Sequence, residues 1–463
     1  MNRLFVSAAH KSSGKTTVCI GLCAALRARG EAVQPFKKGP DYIDPLWLGL
    51  AAGRPCYNLD PYLSGAEEIR TEFAQRMRGA SLGLIEGNKG LYDGLDLDGS
   101  NSNAALAALL GAPVVLVIDA RGMTRGIAPL ILGYQAFDKN IRIAGVILNQ
   151  LGGARHEAKL RAVIAHYTGV PVLGAVQLDE CMAIVERHLG LVPSNEAGDA
   201  RVCVNEISRR VAAQVDLDRL LAVAREAPAL PGAPAAFDGT PEPPIGPPVR
   251  VGIARDAAFG FYYPGDLEAL RDAGAELVAF DALRDRRLPQ VDGLFIGGGF
   301  PETQLDALSA NAALRAEVRN AIDAGLPAYA ECGGLMYLAR AIEWNGRRAE
   351  MAGVLPADIV MHARPVGRGY VHLRETGRGL WPAPHSGEPA LIRAHEFHYS
   401  SVENLPPGVA FAYDVERGHG IDGRHDGIVH KNLLASYAHL RDVAGNPWAR
   451  RFVDFVRNCS HAA

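Results

Sequence analysis

Two α/β units in tandem, the first on a mostly parallel sheet, are the fold class predicted by this 463-residue sequence. Three observations carry the prediction. Short apolar runs alternate with helix-length amphipathic stretches, a proline-rich segment interrupts that alternation near mid-chain, and the pattern then restarts. In the first unit the strand-like runs are Leu4 to Ala8, Leu82 to Ile85, Val114 to Ile118 and Ile143 to Leu148, with a helix expected over Val18 to Arg29. The apolar stretch from Ala104 to Ile118 is broken by Gly111-Ala112-Pro113, so it reads as helix, turn and buried strand, not as a membrane span. From Pro228 to Pro248 there are eight prolines with Gly232, Gly239 and Gly246, a composition that favours an extended connector. Residues 1–227, 228–248 and 249–463 are therefore the expected first domain, linker and second domain. The second unit repeats the alternation with strands Val249 to Ala254, Gly293 to Ile296 and Pro327 to Ala330 and helices near Gly265 to Ala273 and Ala312 to Ala324.

Composition excludes several classes. Apolar residues make up 48% and charged residues 21%, enough for packed cores, and a net charge of −3 gives no footprint for nucleic acid or anionic membrane. The start of the sequence lacks a leader pattern, so a cytoplasmic location is expected, away from membranes. Seven cysteines are scattered without metal-like spacing; reduced thiols are expected, with Cys19 and Cys23 buried on one helix.

Two groups of motifs carry chemistry. The segment Ser7-Ala8-Ala9-His10-Lys11-Ser12-Ser13-Gly14-Lys15-Thr16-Thr17 follows a strand and opens a helix, as a phosphate-cradling loop must. Lys11, Gly14, Lys15, Thr16 and Thr17 are thus nucleotide-binding candidates, with Lys15 on the β and γ oxygens and the Thr16 hydroxyl on Mg²⁺. The alanine at position 9 and the second lysine at 11 resemble the variant loop of the dethiobiotin synthetase and MinD type. The rigid turn Pro35 to Pro45 concentrates Lys37, Lys38, Asp41 and Asp44, able to hold substrate carboxylates, γ-phosphate or metal. Glu86 ends an apolar strand among glycines and is a further Mg²⁺ candidate beside Thr16 and Asp44. Asn149, also at a strand end, is the candidate reader of adenine.

The second group begins with Leu326-Pro327-Ala328-Tyr329-Ala330-Glu331-Cys332-Gly333-Gly334, a strand running into a sharp turn that exposes a thiol, as in a nucleophile elbow. Gly298 and Gly299, in Gly297 to Glu302, and the Gly333 N–H are the oxyanion candidates. His439, ending another apolar segment, is the candidate base; His395 and His398 compete for that role.

In this order the motifs resemble the cobyrinic acid a,c-diamide synthase family along nearly the whole chain. They include Lys38-Gly39-Pro40-Asp41-Tyr42-Ile43-Asp44-Pro45, Gly90-Leu91-Tyr92-Asp93-Gly94 and His395-Glu396-Phe397-His398-Tyr399-Ser400. The resemblance implies a dethiobiotin synthetase-like P-loop domain followed by a class I glutamine amidotransferase-like domain of the cobyric acid synthase subtype. It places Asp41, Tyr42, Asp44, Glu86 and Asp93 at the synthetase site and Cys332 with His439 as the glutaminase pair. Class I glutaminases usually carry a glutamate two residues after the histidine; Arg441 stands there, so a Cys-His dyad is expected. The implied activity uses ATP, Mg²⁺ and L-glutamine to amidate tetrapyrrole acetates through an acyl phosphate, the ammonia travelling by a protected passage. A homodimer is left open. Asn88-Lys89 and Gly99-Ser100-Asn101-Ser102-Asn103 look closer to the branch found with dissimilatory sulfite reductase clusters, which makes sirohaem or sirohydrochlorin the alternative substrate. Two readings of another class are a MinD-like nucleotide switch and a binding module with a dead thiol.

Overall fold

The computed structural model describes residues 1–187, 190–230, 232, 246–381 and 391–462. The chain divides into two compact units, Met1–Asp238 and Gly239–Ala463. Of the proline-rich stretch 228–248, residues 231 and 233–245 lie outside the described residues.

The first unit is a parallel sheet of seven strands among the described residues: β1 (Arg3–Ala8), β2 (Val33–Lys38), β3 (Tyr57–Leu59), β4 (Leu82–Glu86), β5 (Val114–Asp119), β6 (Ile143–Leu151) and β7 (Val172–Gln177). Their order is β3-β2-β4-β1-β5-β6-β7. The central strands β1, β4, β5 and β6 are mostly apolar on both faces because helices cover both. Alternate residues go to opposite cores: Leu4, Val6, Val115 and Val117 pack with α1 (Lys15–Ala28) and α2 (Ile43–Ala52). Phe5, Leu116 and Ile118 pack on the other side with Leu106, Ile131 and Ile164. Each large side chain buried this way stabilises by roughly 1.5–3 kcal/mol before entropy is counted. Cys19 and Cys23 are fully buried in α1, and the broken stretch 104–118 is a helix, a turn and β5. Because β2, β4 and β1 are neighbours, their carboxyl ends bring the turn after β2, Glu86 and the loop after β1 to one edge, where parallel sheets bind ligands.

The second unit has a mixed sheet. Strands Ala275–Phe280, Val249–Ala254, Gly293–Ile296, Ala328–Glu331 and Leu433–Ser436 lie side by side in parallel. Strands His425–His430, Ala410–Arg417, Gly367–Glu375 and Leu391–His398 then continue the sheet antiparallel. One face carries Leu294, Ile296 and Ala330. The other carries Phe295 and Tyr329, stacked with ring centroids 5.3 Å apart and flanked by Trp448. Among the described residues no helix is long and apolar enough to cross a membrane.

Candidate active sites

In the first unit the loop after β1 turns through Ser12 (φ 66°) and Gly14 (φ 73°) into α1. Glycine is required at 14 on two counts: the left-handed backbone, and the side-chain amide of Asn149, 2.3 Å from where a Cβ would sit. Asn149, the candidate adenine reader, lies beneath this loop. It is 4% exposed and donates its amide to the Ser13 carbonyl at 2.8 Å, bracing the loop from beneath. Lys11 is exposed on the loop, while Thr16 and Thr17 lie in the first turn of α1.

The charged cluster forms between the loop and the two neighbouring strand ends. Thr16 Oγ1 donates to Glu86 Oε1 at 2.7 Å and to Asp44 Oδ2 at 3.2 Å. Lys15 Nζ is 3.0 Å and Lys37 Nζ 3.2 Å from Glu86, and Lys37 also pairs with Asp44 and, at 3.6 Å, with Asp41. Burial opposes charge on Lys37, but Asp44, Glu86 and Asp41 outweigh it and hold its ammonium well above the usual range. Asp44 likewise falls below its usual value because Lys37 and Lys15 overcome desolvation. Asp41 is pushed up to about 7 by burial and by Asp44. Its Oδ1 caps α2, accepting the Ile43 and Asp44 N–H groups at 3.0 and 3.1 Å. Tyr42 stands at the helix entry, buried.

Mg²⁺ fits this set: Thr16, Asp44 and Glu86 offer hard oxygens, and the buried Glu86 Oε2 has no hydrogen-bond partner. Lys38, 1% exposed, donates to Asn101 Oδ1 at 3.2 Å, and burial lowers it to about 8 against the pull of Asp60. Asp93 is not in the cluster; its Oδ2 accepts the Gly90 N–H at 2.9 Å and shapes its own turn. Within Gly99–Asn103 the last three residues brace their surroundings. Asn101 orients Lys38, Ser102 caps the next helix, and Asn103, fully buried, donates to Gly90 O at 2.8 Å and accepts from Asn88 N at 3.1 Å.

In the second unit Cys332 sits at φ 46°, ψ −100°, a strained position for a residue with a Cβ, between the strand Ala328–Glu331 and the helix Gly333–Leu338. The neighbouring backbone approaches too closely for side chains. A Cβ on Gly334 would lie 2.1 Å from Ile296 O, one on Gly333 2.9 Å from Gly299 N, and one on Gly298 2.7 Å from His439 Cε1. The three candidate oxyanion glycines thus meet around the thiol and the imidazole.

His439 is buried and hydrogen-bonded to Cys332; its Nδ1 lies 3.4 Å from Glu331 Oε2. Burial alone would depress it, yet the contacts with Cys332 and Glu331 push it up to about 10, which favours the imidazolium form. The competing histidines serve as supports. His395 stacks on His439 with centroids 4.9 Å apart and donates to and accepts from its backbone; burial, then the His439 charge, keeps it neutral. His398 stacks on Tyr437 at 3.7 Å and binds Ser400 O. Arg441 is paired with Asp266 at 3.2 Å and lies over the Tyr263 ring. Where the resemblance implies a dyad, a carboxylate also lies beside His439, that of Glu331. A rule that looks downstream of the histidine misses it, although Glu331 stands in the Cys332 motif itself.

Two family models match the chain: a CobQ/CobB/MinD/ParA nucleotide binding domain over residues 5–192 and a CobB/CobQ-like glutamine amidotransferase domain over residues 250–445. A cobyrinate a,c-diamide synthase of Magnetococcus marinus is 50% identical over 457 residues, covering 98% of this chain and 97% of the relative. The chain belongs to the cobyrinate a,c-diamide synthase family. Other members with this name are 39% identical in Methanosarcina barkeri, covering 98% of this chain and 96% of the relative, and 40% identical in Archaeoglobus fulgidus, covering 97% and 96%. This family member is a glutamine-hydrolysing carbon–nitrogen ligase with a nucleotide-binding first domain.

Proposed function

We propose that this enzyme amidates the a and c acetate carboxylates of cobyrinate or a close tetrapyrrole relative, consuming ATP and glutamine. The observation that carries this reading is that one chain holds both half-sites: Cys332 against His439, and Lys15, Thr16, Lys37, Asp44 and Glu86 around the phosphate loop. The name shared by the full-length relatives supports cobyrinate as substrate.

In the second unit the Cys332 thiolate attacks the side-chain carbonyl of glutamine while the glycine backbone at 299 and 333 faces the developing oxyanion. His439 gives its proton to the departing ammonia, then takes one from the water that cleaves the thioester to glutamate. In the first unit a substrate acetate attacks the γ-phosphorus, forming an acyl phosphate and releasing ADP; ammonia then displaces phosphate at the acyl carbon. Lys15 and Lys37 neutralise charge on the transferring phosphoryl group, and Lys38 holds a substrate carboxylate. Thr16, Asp44 and Glu86 would hold Mg²⁺, which would supply charge stabilisation to the phosphates.

The test offers cobyrinic acid, hydrogenobyrinic acid and sirohaem together with ATP, Mg²⁺ and glutamine, and reads product masses. Two acid-to-amide changes on a cobyrinic ring are expected. Conversion of sirohaem alone transfers the same chemistry to the other substrate, and ATP turnover without any amidation refutes the synthetase reading.

A further inference from the structure

An imidazole has two nitrogens, and at His439 two consecutive residues face them. Glu331 closes its strand and Cys332 follows; in extended chain their side chains would leave on opposite faces. The φ of 46° at Cys332 breaks that alternation and turns the thiol back toward the same ring. Since Nδ1 lies 3.4 Å from Glu331 Oε2, Nε2 is left for the thiol. Glu331 is itself immobilised: its side chain is 3% exposed, and Oε1 accepts the Tyr329 hydroxyl at 2.6 Å and the Leu440 N–H at 2.9 Å. The register explains the fit, since Glu331 pairs with Ser436 of the strand that leads into His439.

We infer that Glu331 is the positioning acid of a Glu331–His439–Cys332 triad, supplied from immediately before the nucleophile instead of from downstream of the histidine. The inference rests on the proposed role of Cys332 in glutamine hydrolysis. The carboxylate accepts Nδ1–H, fixes the tautomer whose Nε2 takes the thiol proton, and stabilises the imidazolium. Other groups around His439 do not substitute for it. His395 is the neutral ring stacked on one face, and Arg441 is committed to Asp266. Tyr329, Tyr262, Tyr413 and Asp266 are among the ionisable groups that feel Glu331; burial holds all three phenols above their usual range, and it pushes Asp266 up to about 8.

The decisive variant in the full-length enzyme is Glu331→Gln. Its amide oxygen still accepts from Tyr329 and Leu440, while its NH₂ faces Nδ1 and imposes the opposite tautomer. The kcat for glutamine hydrolysis is expected to fall on the order of 10²–10⁴-fold with little change in KM. The ultraviolet absorbance of the Cys332 thiolate should appear only at higher pH than in the parent, and ammonia-supported amidation should persist. Glu331→Asp, which keeps the charge, should retain more of the rate than Glu331→Gln. An unchanged kcat and thiolate titration in Glu331→Gln, equal losses in both variants, or parallel loss of ammonia-supported amidation would overturn the assignment. Cys332→Ala, assayed alongside, separates the two levels: if it still uses glutamine, the role of Cys332 fails whatever Glu331 does.

Discussion

At the scale of single residues, both sites depend on charges kept out of water and matched in place. Lys38 gives a pH signature. Its ammonium is lowered to about 8, so the charged form is lost as pH rises through that value. If it holds a substrate carboxylate, kcat/KM for the tetrapyrrole should fall above about 8 as KM rises, and Lys38→Arg should move that limb to higher pH. The measurement is the pH profile of ammonia-supported amidation, in which Cys332 plays no part. Glu86→Gln removes the acid that meets Thr16, Lys15 and Lys37 together. Amidation is expected to fall at least about 10²-fold, while glutamine hydrolysis at Cys332, read as glutamate release, persists.

At the scale of elements, the glycines and the histidine strand build the geometry. Gly334→Ala would put a Cβ 2.1 Å from Ile296 O, a backbone atom that cannot step aside. A loss of about 1–3 kcal/mol is expected in denaturant unfolding, together with loss of glutamine hydrolysis. The strand Leu391–His398 carries His395 against His439. Replacing His395 by Phe keeps an aromatic face and should keep most glutaminase activity; His395→Ala removes the stack and should cost more, read as glutamine kcat in the two variants.

These elements also show what the sequence made legible. The phosphate loop, Glu86 and the Cys332 turn were readable because each pairs an apolar strand with glycine, a local signal. The strand β2 was not, since Pro35, Lys37 and Lys38 speak against a buried strand, yet all three are buried, the lysines facing carboxylates or an amide contributed by other elements. The antiparallel half of the second sheet was hidden for a similar reason: His395, Glu396 and His398 read as chemistry when they are also strand residues. Asn149 and Asp93 were legible by position alone; their hydrogen bonds with Ser13 and Gly90 were not, being set by how the loops fold.

At the scale of the whole molecule, the chain joins an ammonia source to an ammonia consumer, and free ammonia at neutral pH is mostly the non-nucleophilic ammonium ion. Two units with separate cores give each half-reaction its own scaffold. The most direct test is amidation of cobyrinic acid by Cys332→Ala with ATP and Mg²⁺, supplied with either glutamine or ammonium salt and read by mass. Glutamine-supported product is expected to vanish while ammonia-supported diamide remains. Product from glutamine, or loss of both products in a folded protein, would contradict the division of labour.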